Sequence, residues 1–172
     1  MKLIVLLASA VFSMAQTAPR IPPGTLTPGD IAVAVGALPR FAPDRFVSLP
    51  PSVREAFTAI NCQVPQNNLS AGPSNVIAGE FAAKGQRDWA ALCSNGSSTE
   101  IRIVWGGPAR CEDRLAARQD SDTLVATSPG YFAYARSITL STRGTLDVID
   151  DNVVNGPRVI HACVGSHWQA VR

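Results

Sequence analysis

Apolar residues occupy every second position between Thr99 and Gly106: Ile101, Ile103 and Trp105 share one face, with Arg102 and Val104 on the other. A period of two marks a strand with one buried face, so 99–106 is predicted to be extended. Strands are also predicted over 75–81, 88–94, 123–127, 131–140 and 145–149, with a closing hairpin over 158–164 and 167–171. Asn95-Gly96 predicts the turn before 99–106, since both residue types tolerate positive φ. Gly165-Ser166 predicts a type II′ turn in the closing hairpin, and that two-residue loop sets Trp168 opposite Cys163, where it would shield a disulfide.

A helical period shows only briefly. Val53, Ala56, Phe57 and Ile60 recur at i, i+3, i+4 and i+7, and Ser52-Val53-Arg54-Glu55 matches a capping box ahead of them. A second short helix is predicted over 108–119, with Pro108 in the first turn and Cys111 and Leu115 four apart. Gly106-Gly107-Pro108 then reads as a strand-to-helix turn, too short to cradle a phosphate. Residues 16–50 are crowded with proline, which excludes a continuous helix and predicts an extended lead-in, with 31–38 lying as a strand, against the domain, or draped as a linker. Together these elements predict an α+β fold: mainly antiparallel sheet with one or two short packing helices and two disulfides, in a single domain over 51–172.

Composition adds a compartment. Lys2, an apolar run over 3–12 and the small-x-small sequence Ser13-Met14-Ala15 are ordered as in a cleavable secretory signal, which predicts a signal peptide over 1–15 and a periplasmic or secreted product. About ten apolar residues are too few to cross a hydrocarbon core of roughly 30 Å, so no membrane anchor is expected after cleavage. Cys62, Cys93, Cys111 and Cys163, an even count in an exported chain, predict two disulfides. Three pairings are possible. Cys62 with Cys93 and Cys111 with Cys163 is favoured, because each staples segments that the other cues place side by side. Zinc is disfavoured, since no two cysteines are close in sequence. The 15 basic side chains are scattered against 13 acidic ones and few aromatics accompany them, which argues against nucleic acid as a partner.

The segment from Asn75 to Cys93 carries the pattern N-V-I-x-G-x-F-x-x-x-G-Q-x-D-W-A-x-L-C, preceded by Cys62-Gln63-Val64-Pro65-Gln66 and followed at the end of the chain by Gly165-Ser166-His167-Trp168. It resembles a family of uncharacterised exported bacterial proteins, and the resemblance implies a fold from about residue 49 onward but no activity. The same segment is distantly similar to an FG-GAP-type repeat, whose acidic loop binds calcium between two strands. Aligned on that pattern, Glu80 takes the first ligand position, Ala82 the third, Lys84 the fifth, Gly85 the turn and Asp88 the last acid. Two oxygen ligands are missing, so the loop should not hold calcium. The expectation is an ion pair in which the Lys84 ammonium stands in for the metal between Glu80 and Asp88, with an ordinary charged hairpin loop as the alternative.

No catalytic residue is assigned. His161 and His167 fall on neighbouring strands without an evident ligand set, no G-x-S-x-G elbow occurs, and Asp147, Asp150 and Asp151 read as a polar turn. Nothing calls for a cofactor or a metal. The expected function is a noncatalytic binding or interaction module of the cell envelope, taking an envelope protein or a small ligand. Two alternatives stand beside it: a hydrolytic enzyme using His161 or His167 with an acid in a pocket, and an inhibitor or accessory protein acting through a disulfide-held loop at 66–75.

Overall fold

The computed structural model describes residues 27–67, 72–128 and 131–171; the predicted signal peptide lies outside them. The lead-in, expected to be extended, instead contains helix α1 (Pro28–Gly36). Pro28 occupies the first turn, where a missing N–H costs no bond, and Thr27 and Asp30 form a reciprocal capping box. Strand β1 (Arg40–Phe41) follows, then a 3₁₀ turn at Pro43–Arg45 and helix α2 (Pro51–Ala59). Leu38, Phe46 and Leu49 are buried, so part of the proline-rich segment is built into the core.

The capping box predicted at Ser52 is absent: Pro51 starts α2 two residues earlier than a Ser52 cap would, Pro50 is the cap, and no side chain bonds to the helix end. The C-terminus is held instead. Asn61 adopts φ 51°, the Asn61 amide donates to the Thr58 carbonyl and the Cys62 amide to the Phe57 carbonyl, the paired bonds of a Schellman motif. Val53 and Phe57 point into the core, whereas Ile60 is 42% exposed.

The remaining chain is strand: β2 (Val64–Pro65), β3 (Val76–Gly79), β4 (Asp88–Ser94), β5 (Ser98–Val104), β6 (Arg114–Gln119), β7 (Leu124–Ser128), β8 (Tyr131–Tyr134), β9 (Arg136–Arg143), β10 (Leu146–Val153), β11 (Arg158–Val164) and β12 (His167–Val171). Two four-stranded antiparallel sheets result, in the orders β3-β4-β5-β6 and β12-β11-β10-β9, while β1 pairs with β2 and β7 with β8. Residues 108–119 therefore hold no helix. Arg114–Gln119 pairs with β5 as an edge strand, with an irregularity at the Thr99–Ile101 register step and Ala116 at φ 54°. The 131–140 run is broken at Ala135, whose amide and carbonyl bond Thr123 and Val154 between the two ladders. The closing hairpin has the predicted register, Cys163 opposite Trp168, but Gly165 and Ser166 both have positive φ, which makes the turn type I′ rather than II′.

Alternation in the first sheet divides two cores. Leu92, Ile101 and Ile103 face the second sheet and pack with Phe81, Tyr134, Ile138 and Ile149. Ala91 and Cys93 face the other way, against Val53 and Phe57 of α2 and Phe46 and Leu49. The order is helix, sheet, sheet, with disulfides Cys62–Cys93 joining the end of α2 to β4 and Cys111–Cys163 joining the segment before β6 to the second sheet. Both favoured pairings are present. Among the described residues no helix is long and apolar enough to cross a membrane.

Candidate functional site

Helix α2 is only nine residues long, so it covers one end of the sheet face and stops. Beyond its end lies a cleft of about 660 Å³, walled by Ile60 and the Cys62–Cys93 disulfide and lined by Asn61, Gln63, Asn95, Glu100, Arg40, Arg102 and Arg114. A volume in this range suits a small organic ligand.

The three guanidinium groups differ in how they are held. Arg40 is fully committed: Nε donates to Ser94 Oγ at 3.1 Å, Nη1 to the Leu38 carbonyl, and Nη2 to the Val35 carbonyl and to Asp120 Oδ2 at 3.0 Å. Asp120 is wholly buried and also accepts from Ser94 and Thr99, so the Arg40 charge is balanced from behind. Arg102 donates through Nη1 to Glu100 at 2.9 Å, and its buried Nε has no acceptor. Arg114 stands directly opposite Arg102 in the β5–β6 ladder, exposed and without an ion-pair partner among the described residues. Like charges at opposed positions destabilise a strand pair. These three arginines, at positions 40, 102 and 114, were not singled out in sequence; the register that brings two of them together was hidden by the helix expected at 108–119.

A second polar cluster is sealed between the sheets. Arg136 and Asp151 are both fully buried and form a two-point ion pair, Nε to Oδ1 at 2.8 Å and Nη2 to Oδ2 at 3.1 Å. Arg136 also donates to the carbonyls of Thr99 and Ala116 at 2.7 and 2.6 Å, both on the first sheet. Arg118 and His161 approach the same carboxylate at 3.5 and 3.7 Å. Burial alone would raise the Asp151 carboxyl, but the facing His161 ring and the Arg136 and Arg118 charges outweigh it and hold it at about 2. The cluster ties the sheets together and opens to no cleft described above. Asp147, Asp150 and Asp151 thus form no turn: all three lie on β10, where Asp150 pairs with Arg158 and Asp147 accepts from the Glu80 amide and the Thr142 hydroxyl.

The expected Glu80–Lys84–Asp88 ion pair is not formed. Lys84 is exposed and makes no ion pair among the described residues. Asp88 is buried and accepts from the amides of Phe81, Ala82 and Gly106 and from Gln86, and Glu80 accepts from the Gly85 amide at 2.9 Å. Backbone donors hold the loop's shape without a cation. Gly106-Gly107-Pro108 leads into no helix; it crosses closely over Arg87, where a Cβ on Gly106 would meet the Arg87 carbonyl oxygen at 1.9 Å.

Each histidine has an acid neighbour that sequence reading did not provide. His167 Nδ1 lies 2.7 Å from Glu112, and that bond holds the Glu112 carboxyl below its ordinary value. Trp168 donates its indole N–H to the Glu112 carbonyl and stacks on Trp105 at 6.0 Å. Neither histidine lines the three clefts at 40–114, 44–59 or 45–89. The ends of the proposed inhibitor loop are pinned inward: Gln66 is buried and bonds Val64 and Ser74, and buried Asn75 donates to the Pro65 carbonyl; the tip at 68–71 lies outside the described residues. Among the described residues no three His, Cys, Asp or Glu side chains gather as a metal site. No protein-family model, curated protein or solved structure matches the chain.

Proposed function

We propose that the chain is a noncatalytic binding module working outside the cytoplasm, and that the cleft beside α2 is where it takes an anionic ligand. The observation that carries this reading is the opposed pair Arg102 and Arg114, two positive charges kept face to face where only one acid, Glu100, is at hand. An arrangement that costs the free protein stability is offset when an anion sits between the guanidinium groups, which are suited to carboxylate and phosphate. The two disulfides support an oxidising compartment. The hydrolytic alternative is the weaker one, since neither histidine lines the cleft beside α2.

The test is chemical-shift mapping on the oxidised protein at low ionic strength with a panel of anions: acetate, inorganic phosphate and short peptides. Saturable shifts at residues 93–102 and 114, lost in Arg114→Gln, are expected. No saturable shift in that region with any anion would refute the proposal.

A further inference from the structure

We infer that the ligand of this cleft is the C-terminal end of a peptide, held by its carboxylate; the inference rests on the anion-binding reading above. Charge accounting sets the first limit. Of the three guanidinium groups, Arg40 is balanced by Asp120 and Arg102 by Glu100, which leaves the single charge of Arg114. A cleft with one unbalanced positive charge and a carboxylate alongside fits a monoanion, whereas phosphate, carrying up to two negative charges, would meet repulsion from Glu100.

The rest of the lining sets the second limit. The side-chain amides of Asn61 and Gln63 have no partner among the described residues, and Asn95 uses only its Oδ1, accepting from Ser97 and Ser98 and leaving its N–H groups free. Each free amide matches the donors and acceptors of a peptide backbone. Alongside them, half-exposed Ile60 and the disulfide offer apolar surface for one short side chain. One carboxylate, adjoining amides and a small apolar group describe the last two or three residues of an unstructured chain. The cleft is also far larger than a lone inorganic anion fills.

The experiment titrates the full oxidised chain by calorimetry with three probes: N-acetyl-Ala-Leu-Val with a free carboxylate, the same peptide as its C-terminal amide, and inorganic phosphate. The free acid is expected to bind at least about tenfold tighter than the amide, as for the loss of one charge-assisted pair. Arg114→Gln should erase that preference while leaving the unfolding midpoint unchanged or slightly raised, because Arg114 is exposed and its loss relieves the like charge opposite Arg102. Asn95→Ala should weaken the acid and the amide equally, a change that loss of charge alone would not produce. Equal affinity for acid and amide overturns the inference. So does saturable binding of phosphate without the peptide, an outcome that leaves the anion-binding proposal standing; binding of no probe overturns both.

Discussion

Asp151→Asn removes a charge from the centre of the sheet interface while keeping the side chain's shape. Arg136 is as buried as its partner, and its only other acceptors among the described residues are the Thr99 and Ala116 carbonyl oxygens, so the substitution leaves a buried guanidinium without its paired carboxylate. Breaking a buried pair from one side costs about 3–5 kcal/mol. The depressed carboxyl gives a consistent lower figure: a value of about 2 against the ordinary 3.8 corresponds to about 2 kcal/mol of stabilisation at neutral pH. Urea unfolding of the oxidised protein, with a slope of about 2 kcal/mol per molar, should therefore show the midpoint falling by about 1–2.5 M. Arg136→Met and Asp151→Leu should each be costly alone, and the two together should recover part of the loss, giving a coupling energy above about 1 kcal/mol. A loss under about 1 kcal/mol in Asp151→Asn, or additive single and double variants, would show that the pair does not hold the sheets together.

Because the folded Asp151 carboxyl lies below its unfolded value, its contribution is complete above about pH 4 and is lost as pH falls toward 2. Stability measured from pH 5 to 2 should accordingly fall more steeply in the native protein than in Asp151→Asn; parallel curves would contradict this. Removing the disulfides one at a time by paired alanine substitutions should cost about 3.7 kcal/mol for the 31-residue separation and about 4.1 kcal/mol for the 52-residue one on the loop-entropy relation, read from denaturant midpoints. Phe57→Ala, at a side chain 1% exposed beneath α2, should lose about 3–5 kcal/mol, and a smaller loss would mean the second core collapses around the gap. Gly106→Ala, which drives a Cβ into the Arg87 carbonyl, should cost more than about 1 kcal/mol by thermal unfolding, whereas Gly36→Ala, with open space around it, should be close to neutral.

Short-range signals made most of the strands legible. Period-two alternation located β5, the Gly165-Ser166 turn located the closing hairpin, and the even cysteine count, with neighbouring segments inferred from the other cues, led to the pairing found. Some local chemistry was present but outweighed in the reading. Thr27-Pro28-Gly29-Asp30 carries a capping signature that the density of prolines obscured, and Ser52 loses its cap because Pro51 already occupies the first helical position. In each case, which of two nearby helix starts wins is decided by residues one or two positions away.

The sequence by itself determined what depends on neighbours along the chain: the periodicity of β5, the position of the closing hairpin turn, and a mainly antiparallel fold with two cross-links. Only tertiary structure decided what depends on partners far apart. Residues 114–119 become an edge strand because β5 offers them a ladder, although Pro108 begins a plausible helix. The acids of β10 lie within a sheet because Arg136, Arg118 and Arg158 arrive to balance them. The cleft exists because α2 ends short of the sheet it covers, and its charge follows from a register that sets Arg102 against Arg114. Electrostatic energies depend on distance in space, and a distance across two sheets is not a property of any local stretch of residues.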